Sequence, residues 1–122
     1  MGYESKLYVV DKKEYGIPEF KPWGQVICMI DICKYPAVSD FMREHPDTDC
    51  YIYADDGNTQ IVEDRYDKPL KECDIEELFE HVNTLVENGE TYRRVFPLHS
   101  MLKSFVEHKN EWQNLKVLHF GH

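Results

Sequence analysis

The chain has 122 residues, 42% of them hydrophobic and 13% aromatic, which is enough to bury the core of one domain. Its 23 acidic and 14 basic residues give a net charge of −9, which opposes binding to nucleic acid because phosphate contacts require lysine and arginine. No apolar run approaches the roughly 18 residues of a membrane span, and the N-terminus lacks the apolar segment of a signal peptide. We therefore expect residues 1–122 to form a single globular domain that is cytoplasmic and has no membrane partner.

The first two predicted strands lie on either side of a long loop. Leu7 to Val10 form a short apolar strand, and glycine and proline residues interrupt the pattern over residues 11–24. Residues 25–32, with the sequence QVICMIDI, are almost continuously apolar, which predicts a central strand covered on both faces. Asp31 is its one charged residue and is expected at the strand end, in contact with solvent or a backbone amide. A short helix is predicted next, over about residues 36–44, because that segment begins with proline.

The segment from Asp49 to Asp64 has the pattern of a β-hairpin. Asp56-Gly57 fits the two central positions of its tight turn, where glycine accepts a positive φ. This register places Ile52 opposite Ile61. The same turn does not fit a calcium loop, because only one of the three upstream ligand positions of an EF-hand is acidic and strands, not helices, flank it.

Two longer helices and a strand are predicted in the second half of the chain. The first helix follows Asp74 and Glu77, whose spacing resembles a capping box, and ends near Gly89. The next helix covers about residues 95–108. A final strand over residues 115–120 has apolar side chains on both faces, so we expect it to insert into the sheet. The predicted order is ββαββααβ, an α+β fold in which a mostly antiparallel sheet of about five strands packs against two or three helices.

The negative charge is concentrated in the middle of the chain. Residues 44–90 contain 15 acidic and three basic residues, whereas the rest of the chain contains eight acidic and 11 basic residues. Such a surface favours docking on a basic protein. The candidate partner-binding residues, in the hairpin turn and on the first long helix, are Asp55, Asp56, Glu76, Glu77 and Glu80.

The residue types that carry catalysis form no recognised motif, and no cofactor is expected. Without an export signal, the cysteines at positions 28, 33, 50 and 73 are predicted to be reduced and mostly buried. Two alternatives remain open. His119 and His122 could bind a metal ion at the end of the chain, and a fold that brought Cys50 beside His119 would create a nucleophile–base pair.

Three segments carry a resemblance to a known group. The opening MGYESKLY (residues 1–8), the central TDCYIYADDG (residues 48–57) and the closing LHFGH (residues 118–122) resemble small uncharacterised proteins from phages and prophages of Gram-positive bacteria. No activity, ligand or catalytic residue is known for that group. The resemblance implies a phage accessory protein that acts in the cytoplasm of the bacterial host.

The sequence therefore favours a non-enzymatic acidic protein that docks on, and inhibits, a host protein with a basic surface. One alternative is a small metal-dependent or Cys/His-dependent enzyme. Another is a structural module whose homodimer is the functional form.

Overall fold

The computed structural model describes residues 5–53, 60–61 and 68–121. Over these residues the chain forms six strands and three helices, an α+β arrangement that confirms the predicted fold class. The strands are β1 (Ser5–Lys13), β2 (Trp23–Asp31), β3 (Ile52–Tyr53), β4 (Gln60–Ile61), β5 (Lys71–Asp74) and β6 (Leu115–Gly121). The helices are α1 (Pro36–Arg43), α2 (Ile75–Glu87) and α3 (Val95–Glu107), and a 3-10 turn covers Lys109–Glu111. None of these helices is long and apolar enough to cross a membrane.

Four strands form an antiparallel sheet in the order β2-β1-β6-β5. β1 and β6 are the central pair, and their register places Ser5 opposite Gly121. The strand predicted at residues 115–120 is therefore inserted between β1 and β5, as its two apolar faces indicated. Val117 faces the helices, whereas its neighbour Leu118 packs on the other side of the sheet.

The prediction that residues 25–32 form a central strand is wrong, because β2 lies at the edge of this sheet. The register against β1 shifts by one residue at Ile27, which is a β-bulge. Val26 and Met29 are 37% and 43% exposed, so the apolar run is not covered on both faces. An edge strand with a bulge can carry such a run, because the bulge changes which side chains point to the core.

β1 is longer than predicted and includes three polar residues that the sequence analysis assigned to a loop. Asp11 and Lys12 are buried at 5% and 8% exposure. The Asp11 carboxylate accepts a hydrogen bond from the Asn114 amide at 2.9 Å, and the Lys12 amide donates to the Asn114 carbonyl at 2.9 Å. Distant partners thus keep a polar segment inside the strand.

The end of β2 is held as the sequence predicts. The Asp31 carboxylate accepts a hydrogen bond from the Cys33 amide at 2.8 Å. Cys33 has a φ of 52°, in the left-handed region that non-glycine residues rarely adopt. Arg94 adds a hydrogen bond from its guanidinium to the Asp31 carbonyl at 2.6 Å.

All three helices pack on one face of the sheet and form the larger hydrophobic core with it. Helical spacing brings the apolar residues of α2 and α3 to this side, as the sequence indicates. The fully buried members include Leu7, Val9 and Val117 from the sheet and Val38, Leu78, Val82, Leu98 and Leu102 from the helices.

A smaller hydrophobic core lies on the opposite face of the sheet, next to the hairpin β3-β4. Its buried members are Val10, Cys50, Ile52, Leu70 and Leu118. The predicted pairing of Ile52 with Ile61 is confirmed. The turn at Asp56-Gly57 lies outside the described residues. The hairpin therefore covers the face of the sheet that the helices leave open.

The segment leading into the hairpin is anchored to the start of β2 at Gly24. The Gly24 amide donates to the Tyr51 carbonyl at 2.7 Å, and the Tyr51 amide donates to the Pro22 carbonyl at 3.1 Å. A Cβ atom at position 24 would lie only 3.0 Å from Ile52 Cγ2. A larger residue at position 24 would therefore require the Ile52 side chain to shift by a few tenths of an ångström.

The junction between β5 and α2 differs from the prediction in two ways. β5 was not predicted, although it pairs with β6 over Lys71–Asp74. Asp74 precedes α2 as expected, but its side chain makes no capping hydrogen bond, so the predicted capping box is wrong. Its carboxylate instead pairs with Lys116 on the neighbouring strand, while Glu77 pairs with His45. A charged partner is a stronger attraction for a carboxylate than a backbone amide.

Candidate functional sites

The surface predicted to bind a partner includes an acidic face of α2. Helical spacing brings Glu77, Glu80 and Glu87 to exposed positions along this helix, and we call these three residues the acidic helix face. Glu77 is 2.9 Å from His45. Within the described parts of the chain, no lysine or arginine pairs with Glu80 or Glu87. Glu87 accepts a hydrogen bond from the Asn83 side chain at 3.0 Å, so neither carboxylate has a positively charged partner among the described residues.

The other predicted partner-binding residues have different positions. Glu76 is half-buried, and its carboxylate is 2.9 Å from Lys109. Asp55 and Asp56 lie outside the described residues. The structure thus brings together Glu77 and Glu80 from the predicted set and adds Glu87, which the sequence analysis did not select.

An ion cluster centred on a buried lysine joins β1 to β5 and to the segment before β3. The Lys12 ammonium lies 2.5 Å from Asp49 and 3.2 Å from Glu72, and we call these three residues the Lys12 cluster. The Thr48 hydroxyl donates to Glu72 at 2.7 Å. Burial alone would lower the pKa of Lys12, but the two carboxylates outweigh it and hold the pKa above its ordinary value. Lys12 therefore stays charged, which excludes it as an amine nucleophile.

Cys50 lines a cleft of about 470 Å³ beside the Lys12 cluster. Its sulfur is 3.1 Å from the Thr48 hydroxyl. Burial raises the pKa of the Cys50 thiol, which disfavours the reactive thiolate. Of the described residues, the cleft lining includes no histidine that could take the thiol proton.

His119 does not meet Cys50, the predicted partner that lies within the described residues. It is 5% exposed, and its Nε2 atom is 2.7 Å from the Ser5 hydroxyl. Alternation along β6 places it on the helix-facing side of the sheet, whereas Cys50 belongs to the smaller core on the other side. The Cys50–His119 pair is therefore not formed. His122, the second member of the predicted metal pair, lies outside the described residues.

Three metal-ligating side chains come together where α1, β5 and α2 meet. A ring nitrogen of His45, the sulfur of Cys73 and a carboxylate oxygen of Glu77 all lie within 4.8 Å of one another. We call this group the His–Cys–Glu cluster. Burial, followed by the nearby carboxylates of Glu77 and Asp74, raises the pKa of the Cys73 thiol to about 12. Lys116 opposes this shift only weakly, so the thiol is no nucleophile at neutral pH.

The His–Cys–Glu cluster was not predicted, because Cys73 lies in the unpredicted strand β5. Cys73 ends up beside Glu77 only because β5 passes directly into α2, so that four residues span one strand–helix junction. His45 is 28 positions away from Cys73. The Cys-x-x-x-Glu spacing was the available signal, and a strand assigned to Lys71–Asp74 would have revealed it.

An exposed aromatic surface, also missed, surrounds the loop between β1 and β2. Tyr15, Ile17 and Phe20 are 49%, 47% and 59% exposed. The Tyr15 and Phe20 rings meet edge to face with centroids 6.2 Å apart, and the Tyr15 hydroxyl is 3.4 Å from that of Tyr51. Large exposed apolar side chains that cluster in this way are typical of interaction surfaces.

Comparison of the chain with family models, with curated proteins and with solved structures finds no match.

Proposed function

We propose that this protein is a non-enzymatic binding protein that docks its acidic helix face on a basic surface of another protein. The observation that carries the proposal is the exposure of Glu80 and Glu87 with no described cation beside either carboxylate. Charge of this kind accelerates association with a basic partner and contributes to partner choice.

The internal ion pairs of the acidic segment support this choice of surface. Asp47 pairs with Lys71 at 2.6 Å. The two carboxylates of the Lys12 cluster share one ammonium, and Asp74 pairs with Lys116. Several described carboxylates of this segment are therefore paired within the chain, whereas Glu80 and Glu87 on α2 have no described lysine or arginine beside them.

The resemblance to phage and prophage proteins supports a host partner in the bacterial cytoplasm. The nucleic-acid groove of a host nuclease has the required positive charge, because it must hold phosphates. A protein of net charge −9 that occupied such a groove would inhibit the enzyme by excluding its substrate.

The test is capture of a partner from host lysate by the untagged protein immobilised at low density, compared with a double charge reversal, Glu80→Lys with Glu87→Lys. We expect the reversal to abolish capture, and raising the salt concentration to weaken capture by the unaltered protein, because exposed charges are screened. Both residues are exposed, and lysine at position 87 suits the C-terminal end of a helix, so the fold should be kept. Glu77 is left unchanged.

The matched control is Glu14→Lys with Glu19→Lys, which makes the same change in net charge in the exposed loop between β1 and β2. We expect this control to capture the partner as the unaltered protein does. Circular dichroism checks the fold of each variant. Capture that survives the reversal on α2, or that is lost equally in the control, would contradict docking through the acidic helix face.

A further inference from the structure

We propose that His45, Cys73 and Glu77 form a binding site for one zinc ion, with Nε2, Sγ and a carboxylate oxygen as the protein ligands. The inference goes beyond the docking function and rests on a different observation, the convergence of three donor atoms from three elements. It is tested without any partner protein, so either proposal can fail alone.

The separation of the donor atoms suits a tetrahedral ion. With bonds of about 2.0 Å to nitrogen and about 2.3 Å to sulfur, tetrahedral geometry sets the ligand atoms about 3.3–3.8 Å apart. The three atoms here lie within 4.8 Å of one another, and His45 Nε2 is 2.9 Å from Glu77 Oε2. Side-chain adjustments of about an ångström therefore bring the set to bonding distances, with no movement of the sheet or helices.

The hydrogen bonds of His45 orient its Nε2 atom toward the other two ligands of the site. Its Nδ1 atom is 2.8 Å from the Phe41 carbonyl, which can only accept, so Nδ1 carries a proton and donates it. In the neutral ring Nε2 then has a lone pair that faces the Glu77 carboxylate at 2.9 Å. Two acceptor atoms at this distance must share either a hydrogen, carried by Nε2 or by the carboxyl oxygen, or a bound cation. A histidine whose other nitrogen donates to a backbone carbonyl is the usual arrangement at metal sites.

Cys73 supplies the donor that selects the metal. Its sulfur is buried beside Met42 Sδ, at 3.5 Å, and reaches the cluster from the core side. Calcium and magnesium prefer sites made of oxygen ligands, whereas thiolate with imidazole is typical of zinc. On binding, the ion displaces to solvent the thiol proton and the hydrogen shared by His45 and Glu77. The thiolate and the carboxylate then balance the two positive charges of zinc.

The site is open on one side. The side chain of Glu77 is 55% exposed, whereas that of His45 is 16% exposed. Three protein ligands leave the fourth tetrahedral position to water from the Glu77 side. The site thus joins the surface at the acidic helix face and is closed on the core side by Cys73.

The experiment titrates the reduced, untagged full chain with cobalt(II), a spectroscopic substitute for zinc, and then displaces cobalt with zinc. We expect one ion per chain and a sulfur-to-cobalt charge-transfer band that zinc removes. Cys73→Ser should abolish that band, and His45→Ala should weaken zinc binding at least about 100-fold, since even residues outside the ligand shell alter affinity by roughly 10–100-fold. The matched controls Cys33→Ser and His108→Ala, which change the same residue types elsewhere, should bind as the unaltered chain does.

If Cys73→Ser unfolds the chain because it alters a buried residue, Glu77→Gln still tests the proposed zinc site. This exposed substitution should retain the charge-transfer band but weaken zinc binding at least about tenfold. The proposal is overturned if the unaltered chain binds no stoichiometric zinc, if the band persists in Cys73→Ser, or if Glu77→Gln and His45→Ala bind zinc as tightly as the unaltered chain.

Discussion

For individual residues in this chain, partners that are distant in sequence determine whether a polar residue is buried in a strand or exposed in a loop. Lys12 follows an aspartate and precedes a lysine, which is a loop pattern in sequence, yet it is buried within β1. Its partners, Asp49 and Glu72, are distant in sequence and could not be inferred from spacing. Within the described chain, every buried side-chain nitrogen and oxygen has a hydrogen-bond partner. Asp31 was predictable because its partner, the Cys33 amide, is two residues away.

Tyr35 and Glu90 form a pair whose behaviour with pH follows from geometry. The Tyr35 hydroxyl donates to Glu90 at 2.5 Å, and the backbone amides of Thr91 and Tyr92 donate to the same carboxylate. The tyrosine hydrogen bond, followed by those amides, lowers the pKa of Glu90 below its ordinary 4.5. Burial, followed by the Glu90 carboxylate, raises the pKa of Tyr35. The Glu90 contribution to stability is therefore complete above about pH 4.5 and is lost as the pH falls through the lower folded value.

We expect Tyr35→Phe to raise the pKa of Glu90 toward 4.5, because it removes the largest cause of the shift. The ring of residue 35 keeps its stacking on Tyr92, at a centroid distance of 4.4 Å, so the change isolates the hydroxyl. Carboxyl-carbon NMR titration of Glu90 measures the pKa directly. An unchanged Glu90 titration in the variant would show that the two backbone amides alone hold the carboxylate.

At the level of elements, helices whose apolar residues recur at helical spacing were predicted correctly. Strands whose place in the sheet depends on neighbouring strands were not. The stripes of α2 and α3 predicted those helices because apolar residues that recur every 3.6 positions indicate an amphipathic helix and do not fit a strand. β2 was assigned to the centre of the sheet because an edge strand with a bulge has the same apolar run as a central strand that is covered on both faces. β5 was missed because Lys71–Asp74 has three charged residues in four. Their partners are supplied only by folding, since Lys71 pairs with Asp47 and Asp74 pairs with Lys116 on β6.

We expect Leu118→Ala to cost about 2–5 kcal/mol in the free energy of unfolding, as a fully buried leucine does. Leu118 is 0% exposed under the hairpin side of the sheet. The matched variant is Leu98→Ala in α3, which makes the same change at 0% exposure in the larger core. Urea unfolding measures both. A cost for Leu118→Ala of under about 1 kcal/mol, beside a large cost for Leu98→Ala, would show that the hairpin leaves this face of the sheet open.

Over the whole molecule, the sequence showed that the negative charge is concentrated in one segment. It did not show which of those carboxylates pair with lysines in the folded chain. Residues 44–90 hold 15 of the 23 acidic residues, yet lysines from the rest of the chain pair with several of them. Which carboxylates remain for a partner depends on strand order and helix orientation, which local patterns do not determine. The same holds for the His–Cys–Glu cluster, whose members come from three elements.

The insertion of β6 beside β1 also sets when the sheet can be completed during synthesis. Ser5 and His119 are 114 positions apart, yet they are in hydrogen-bond contact across the two central strands. At about 5–20 residues per second, β1 waits roughly 5–20 s for its partner to be made. During that time the N–H and C=O groups on one edge of β1 can pair with other chains. We expect ribosome-stalled chains that end before residue 115 to be cut within β1 by a protease that spares the full chain. Resistance of β1 in those chains would show that another segment shields the edge until β6 arrives.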